Sequence, residues 1–204
     1  VKRNHTATHL LHKALKVVLG DHVNQAGSLV ESEYLRFDLT HFKKITDSEL
    51  YKIERIINDK ILENIQLKSS ITSFADAKNQ GAEALFGEKY GDKVRVIQVS
   101  DFSKELCGGT HVSSTGDIGS FKIKEEVSLS SGVRRIVAIT GEKSVLEMQK
   151  NEQTIKKLQS ILNSSSVDLV SRVEQLLNEK KEIEKRLKEN VKNNFSYDFT
   201  KKYK

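Results

Sequence analysis

The sequence predicts an α+β fold, a two-layer sandwich of antiparallel sheet and helices, followed by an α-helical antiparallel coiled-coil hairpin. Three observations lead there. Helical and strand periodicities are intermixed through residues 1–141, without the regular alternation of a doubly wound parallel sheet. From residue 142 to 192 apolar residues step by threes and fours, interrupted by Asn163-Ser-Ser-Ser166. A length of 204 residues suits one domain with a real core plus a smaller appendage.

The elements follow in order. Residues 5–19, HTATHLLHKALKVVL, read as a helix with Leu11, Leu15 and Val18 at helical spacing. Gly20 sits where a left-handed residue ends a helix most easily. In residues 34–40 Leu35, Phe37 and Leu39 alternate with Arg36, Asp38 and Thr40, the pattern of a half-buried strand. Thr46 followed by Glu49 is a capping-box pattern, and Leu50, Ile53, Ile56, Ile57, Ile61 and Ile65 form the stripe of the helix it opens. Residues 73–86 suggest a shorter helix, and residues 94–99, 118–125 and 133–140 read as strands. After Gly141, Met148, Asn151, Ile155, Leu158 and Leu162 form one seam, and Leu169, Val173, Leu176, Lys180, Ile183 and Leu187 the other. The domains expected are therefore 1–141, a hairpin over 142–192 and a polar tail over 193–204.

Composition narrows the function classes. No run approaches the roughly 18 apolar residues of a membrane span, so no membrane partner is expected. The start, Val-Lys-Arg-Asn-His, has no apolar signal core. It also lacks an initiator Met and enters a helix at once, which suggests a segment of a longer chain. One cysteine, Cys107, excludes an internal disulfide and points to a reducing, cytoplasmic setting. Net charge is +6: residues 1–141 hold 20 basic and 18 acidic side chains, and residues 142–204 hold 14 and 10. That balance permits an RNA partner without requiring one.

Two pairs carry chemistry. His5-Thr-Ala-Thr-His9 puts two imidazoles on one helix face. Cys107-Gly-Gly-Thr-His111 pairs the cysteine with a third imidazole. In an extended strand the ends of the second pair would lie about 13 Å apart, but Gly108 and Gly109 permit a turn that joins them. Three imidazoles and a thiolate suit zinc, with bonds of about 2.0–2.3 Å. Each pair also has a plain reading: two surface histidines on a helix, and a small core cysteine beside a turn. On the residues alone the metal and the plain reading stand level. His12, three residues from His9, reads as a polar helix residue, with ligation or support of a ligand as the other options.

His5-x-x-x-His9 followed by Cys107-x-x-x-His111 resembles the zinc motif of the threonyl/alanyl-tRNA synthetase second additional domain family. Gly27-Ser-Leu-Val30, Arg36-Phe-Asp38, Gly87-Glu-Lys-Tyr-Gly-Asp92, Glu105-Leu-Cys-Gly-Gly-Thr-His111 and Gly132-Val-Arg-Arg-Ile136 are similar to the alanyl branch. The likeness covers residues 3–141. It implies an editing domain with one zinc held by His5, His9, Cys107 and His111, hydrolysing tRNA(Ala) mischarged with serine or glycine. An open position on the metal would make the ion catalytic, and a closed set of four would make it structural.

The resemblance places Gln25 and Thr8 in the catalytic pocket, with the Thr8 hydroxyl in reach of a serine side chain. Arg134 and Arg135 are candidates for tRNA contact, or else a pair of solvated charges. ATP and Mg²⁺ would serve a separate aminoacylation domain of the parent ligase, and its C-terminal region is a possible site of oligomerisation. Two other functions compete. One is a free-standing deacylase acting in trans, and the other a non-catalytic, zinc-stabilised RNA-binding module.

Overall fold

The computed structural model describes residues 1–84, 90–165 and 167–201, with side chains described to Lys192 in the last helix. The chain forms two compact units, Val1–Glu147 and Met148–Lys204. Among its described residues the first has two antiparallel sheets, three complete α-helices and the start of a fourth. α1 (Lys2–Leu19) leads into β1 (Gln25–Val30), β2 (Leu35–Thr40) and α2 (Asp47–Leu62). Next come β3 (Lys68–Ser73), α3 (Phe74–Asn79), β4 (Lys93–Val99) and β5 (Ser103–Leu106). A 3₁₀ turn (Thr115–Ile118), β6 (Phe121–Ser130) and β7 (Val133–Thr140) follow. One sheet has the order β1-β2-β7-β6 and the other β3-β4-β5, and every strand pairing is antiparallel. The α+β class read from the sequence is thus what the chain adopts, with its strands divided between two sheets.

Packing follows the patterns. α1 buries Ala7, Leu10, Leu11, Ala14 and Leu15 completely, and it packs on α2, the 3₁₀ turn and strands of both sheets. Leu35, Phe37 and Leu39 of β2 are wholly buried, as alternation requires. Thr46 and Glu49 form the reciprocal capping box, and Ile53, Ile57 and Ile61 bring the apolar face of α2 into the core.

Several bounds differ from expectation. The helix expected over 73–86 is only α3, because Gln80 and Gly81, the latter at φ +77°, turn the chain away. Leu85 and Phe86, at the end of that expectation, lie outside the described residues, as do Gly87, Glu88 and Lys89 of the motif above. The strand expected from 118 begins at Phe121, since the 3₁₀ turn occupies Thr115–Ile118. Gly20 ends α1 at φ +112° and ψ 168°, an extended conformation outside the left-handed helical region.

The second unit contains most of α4 (Glu142–Leu162) and all of α5 (Leu169–Lys201). The division falls inside α4. α5 runs through most of the segment expected as a polar tail, while Ser166 in the connection lies outside the described residues. Ile155, Leu158, Val173, Ile183 and Leu187, on the predicted seams, are all exposed.

Candidate metal centre

The centre is built from one helix face and one turn. α1 supplies His5 and His9. β5 supplies the approach: Leu106 is buried and pairs with Val96 of β4, which fixes the residue just before Cys107. The Cys107 amide donates to the Arg95 carbonyl (3.0 Å), and Arg95 Nη1 donates to the Gly109 carbonyl (2.5 Å), so β4 holds the turn from both ends. The turn then passes directly against His5. A Cβ on Gly109 would lie 2.0 Å from His5 Cε1, so any other residue would displace the imidazole.

Four donor atoms converge. The ligand atoms of His5, His9, Cys107 and His111 all lie within 4.8 Å of one another. Cys107 Sγ is 3.3 Å from His5 Nε2 and 3.3 Å from His111 Nε2. A tetrahedron with bonds of 2.0–2.3 Å needs donors roughly 3.3–3.7 Å apart, so the set can close on a single ion with small movements.

The other ring nitrogens face acceptors that orient the imidazoles. His5 Nδ1 donates to the Thr110 carbonyl (3.2 Å) and His9 Nδ1 to the Glu105 carboxylate. His111 Nδ1 lies 3.1 Å from Thr6 Oγ1, a hydroxyl that also accepts the Val112 N–H (3.2 Å). With Nδ1 protonated, Nε2 keeps a lone pair for a metal. His9 Nε2 is buried with no hydrogen-bond partner, which is costly unless a cation takes that place.

Electrostatics point the same way. Burial pushes the Cys107 thiol up, but hydrogen bonds from His111 and His5, with the charge of His9 beside it, outweigh it and hold the pKa at about 3. Burial likewise disfavours a charged His9, yet the Glu105 carboxylate and the thiolate raise its pKa. Glu105 is lowered against its own burial, by His9 first and then by His12. In the metal-free protein an imidazolium therefore supplies the positive charge beside a thiolate and a carboxylate. A divalent cation would replace that proton.

His12 is a correction to the sequence reading. It is buried, and its Nδ1 donates to the second oxygen of Glu105 at 3.1 Å. Glu105 thus holds two imidazoles, and neither its role nor that of Thr6 was read from the sequence. The His12/His9 spacing of three was the available signal, because two inward imidazoles on one helix need a shared acceptor.

The remaining candidates lie as follows. Thr8 is buried and its hydroxyl donates to the Asn4 carbonyl (2.9 Å). Gln25 opens β1, donates to Ser28 Oγ (3.3 Å) and lines a cavity of about 230 Å³ with His12, Lys16 and Glu83. Arg134 pairs with Glu126, and Arg135 forms a two-pronged pair with buried Asp38 (2.7 and 2.8 Å). They are tied into the sheet rather than freely solvated.

Residues 94–137 match the family model described as "Threonyl and Alanyl tRNA synthetase second additional domain". The chain is 53% identical over 187 residues to an alanine–tRNA ligase of Fervidobacterium nodosum, covering 92% of this chain and 22% of that protein. It is 55% identical over 186 residues to that of Thermotoga petrophila, covering 91% and 21%. With the alanine–tRNA ligase of Desulforamulus reducens the identity is 51% over 185 residues, covering 91% and 21%. The chain therefore spans about a fifth of the length of these curated relatives.

Proposed function

Because the chain belongs to the alanine–tRNA ligase family, we propose that residues 1–141 are an editing domain that hydrolyses Ser-tRNA(Ala) and Gly-tRNA(Ala) at a zinc centre. The need for such a site is physical. A pocket fitted to alanine rejects the smaller glycine weakly and an added hydroxyl little better, so accuracy calls for a second, hydrolytic site. The observation that supports the reading most is the convergence of three imidazole Nε2 atoms and one thiolate, with an orphaned Nε2 on His9. Zinc bound there would supply Lewis acidity toward water or the ester carbonyl.

The chain's own residues would do the rest. Gln25, which lines its cavity, would hold the aminoacyl end by hydrogen bonds. Thr8 donates its proton to Asn4, so its oxygen is left to accept a hydrogen bond from a serine hydroxyl. Arg134 and Arg135 would reach tRNA phosphates with the guanidinium donors their carboxylates leave over. In the second unit α4 and α5 would close into an antiparallel coiled-coil hairpin, covering their exposed seams. Aminoacylation with ATP and Mg²⁺ would belong to the parent ligase.

A second reading has one observation in its favour. Four protein donors fill a tetrahedron, which suits a structural ion in a non-catalytic RNA-binding module. Zinc-dependent hydrolysis of Ser-tRNA(Ala) by the chain separates the two.

A further inference from the structure

Phe42 is 86% exposed, on the connection between β2 and α2. One edge of its ring rests on Gly132 in the β6–β7 turn, where an added Cβ would meet the ring at 2.9 Å. Gly132 has φ +74°, and its carbonyl accepts the His41 N–H at 2.9 Å. The positive φ favours glycine in this turn, and the carbonyl bond anchors the residue just before Phe42. His22 and His41 stack at 5.2 Å between ring centroids and are joined nitrogen to nitrogen at 2.9 Å. Lys43 and Lys44 follow Phe42, both exposed. Two carboxylates near His41 are already engaged: Glu49 in the capping box of α2, and Glu126 with Arg134.

A single exposed apolar side chain is ordinary on a protein surface. This one has a ring edge on the β6–β7 turn, and its neighbours along the chain are His41, Lys43 and Lys44. That combination suits a nucleotide, whose base has a flat π-face and whose phosphates are anionic, better than an apolar protein partner. We propose that Phe42, Lys43 and Lys44 form a stacking platform for an unpaired base of RNA, with the lysines on the flanking phosphates. The proposal rests on the reading that the chain acts on tRNA.

The chain contains no tryptophan, so Phe42→Trp installs a unique fluorescent reporter at the platform. Titrating this variant with tRNA(Ala) should quench its emission saturably, and inorganic polyphosphate, which has charge without bases, should not. Phe42→Ala should weaken tRNA binding about 5- to 150-fold, the range for losing one stacked base. Replacing Lys43 and Lys44 by Gln should flatten the slope of log affinity against log salt by about 1.4, as for two single-strand phosphate contacts. Unchanged circular dichroism would establish that the variants are folded. Emission unaffected by saturating tRNA, or equal tRNA affinity of Phe42→Ala and the parent, overturns the proposal. Ester hydrolysis measured in parallel reports on the editing reading separately: quenching without hydrolysis leaves the platform standing and removes the editing function.

Discussion

Glu105 gives one carboxylate oxygen to His9 and the other to His12, and Thr6 gives its hydroxyl to His111. These partners aim the Nε2 atoms, and they explain why neighbouring threonines on α1 do different work. Thr6 touches the cluster, while Thr8 bonds back to Asn4. If Thr8 selects serine, Thr8→Val should slow Ser-tRNA(Ala) hydrolysis more than Gly-tRNA(Ala) hydrolysis. The expected difference is about 0.5–1.5 kcal/mol, roughly two- to tenfold, from single-turnover rates. Equal slowing would assign the residue to the fold of α1. At this scale the sequence was legible where chemistry is rare and spacing strict, as in the two His and Cys pairs. It gave Glu105 a place in a motif but no role, because a glutamate in a four-residue strand looks like any solvated charge until two imidazoles surround it.

At the scale of elements, legibility tracked apolar periodicity. β2 and β4 have clean patterns and formed where expected, and α2 did so except that it ends at Leu62, short of Ile65. β1 (QAGSLV), β3 (KSSITS) and β5 (SKEL) did not declare themselves, being polar, glycine-containing or only four residues long. Their pairing comes from neighbouring strands rather than from their own propensity. The capping box of α2 is a local signal with a local test. Thr46→Ala removes the acceptor of the Glu49 amide and should cost about 1 kcal/mol. For a unit of this size that lowers the unfolding midpoint by roughly 2–4 °C, read by circular dichroism. An unchanged midpoint would mean that tertiary packing alone holds the start of α2.

At the scale of the whole molecule, the unit that contains the centre ends at Glu147, a few residues beyond the boundary expected at Gly141. Ser144 is buried and Lys124 pairs with Glu147, so the first turns of α4 belong with the α+β unit. A chain ending at Glu147 should keep its zinc and most of its hydrolytic rate at saturating tRNA. Its apparent tRNA affinity should fall in a salt-dependent way, since residues 148–204 carry 13 basic and 8 acidic side chains. Loss of metal or of cooperative unfolding in that protein would show that the two units share one core. The dependence of hydrolysis on zinc at the His5, His9, Cys107 and His111 cluster carries the proposed function. It is tested most directly by timing Ser-tRNA(Ala) hydrolysis by the 204-residue chain as purified, after zinc removal by a chelator, and after zinc is restored. The rate should fall with the zinc removed, return in proportion to the zinc rebound, and stay low in Cys107→Ala under all three conditions. A rate indifferent to zinc, or a zinc-loaded chain no faster than spontaneous ester hydrolysis, would contradict the account.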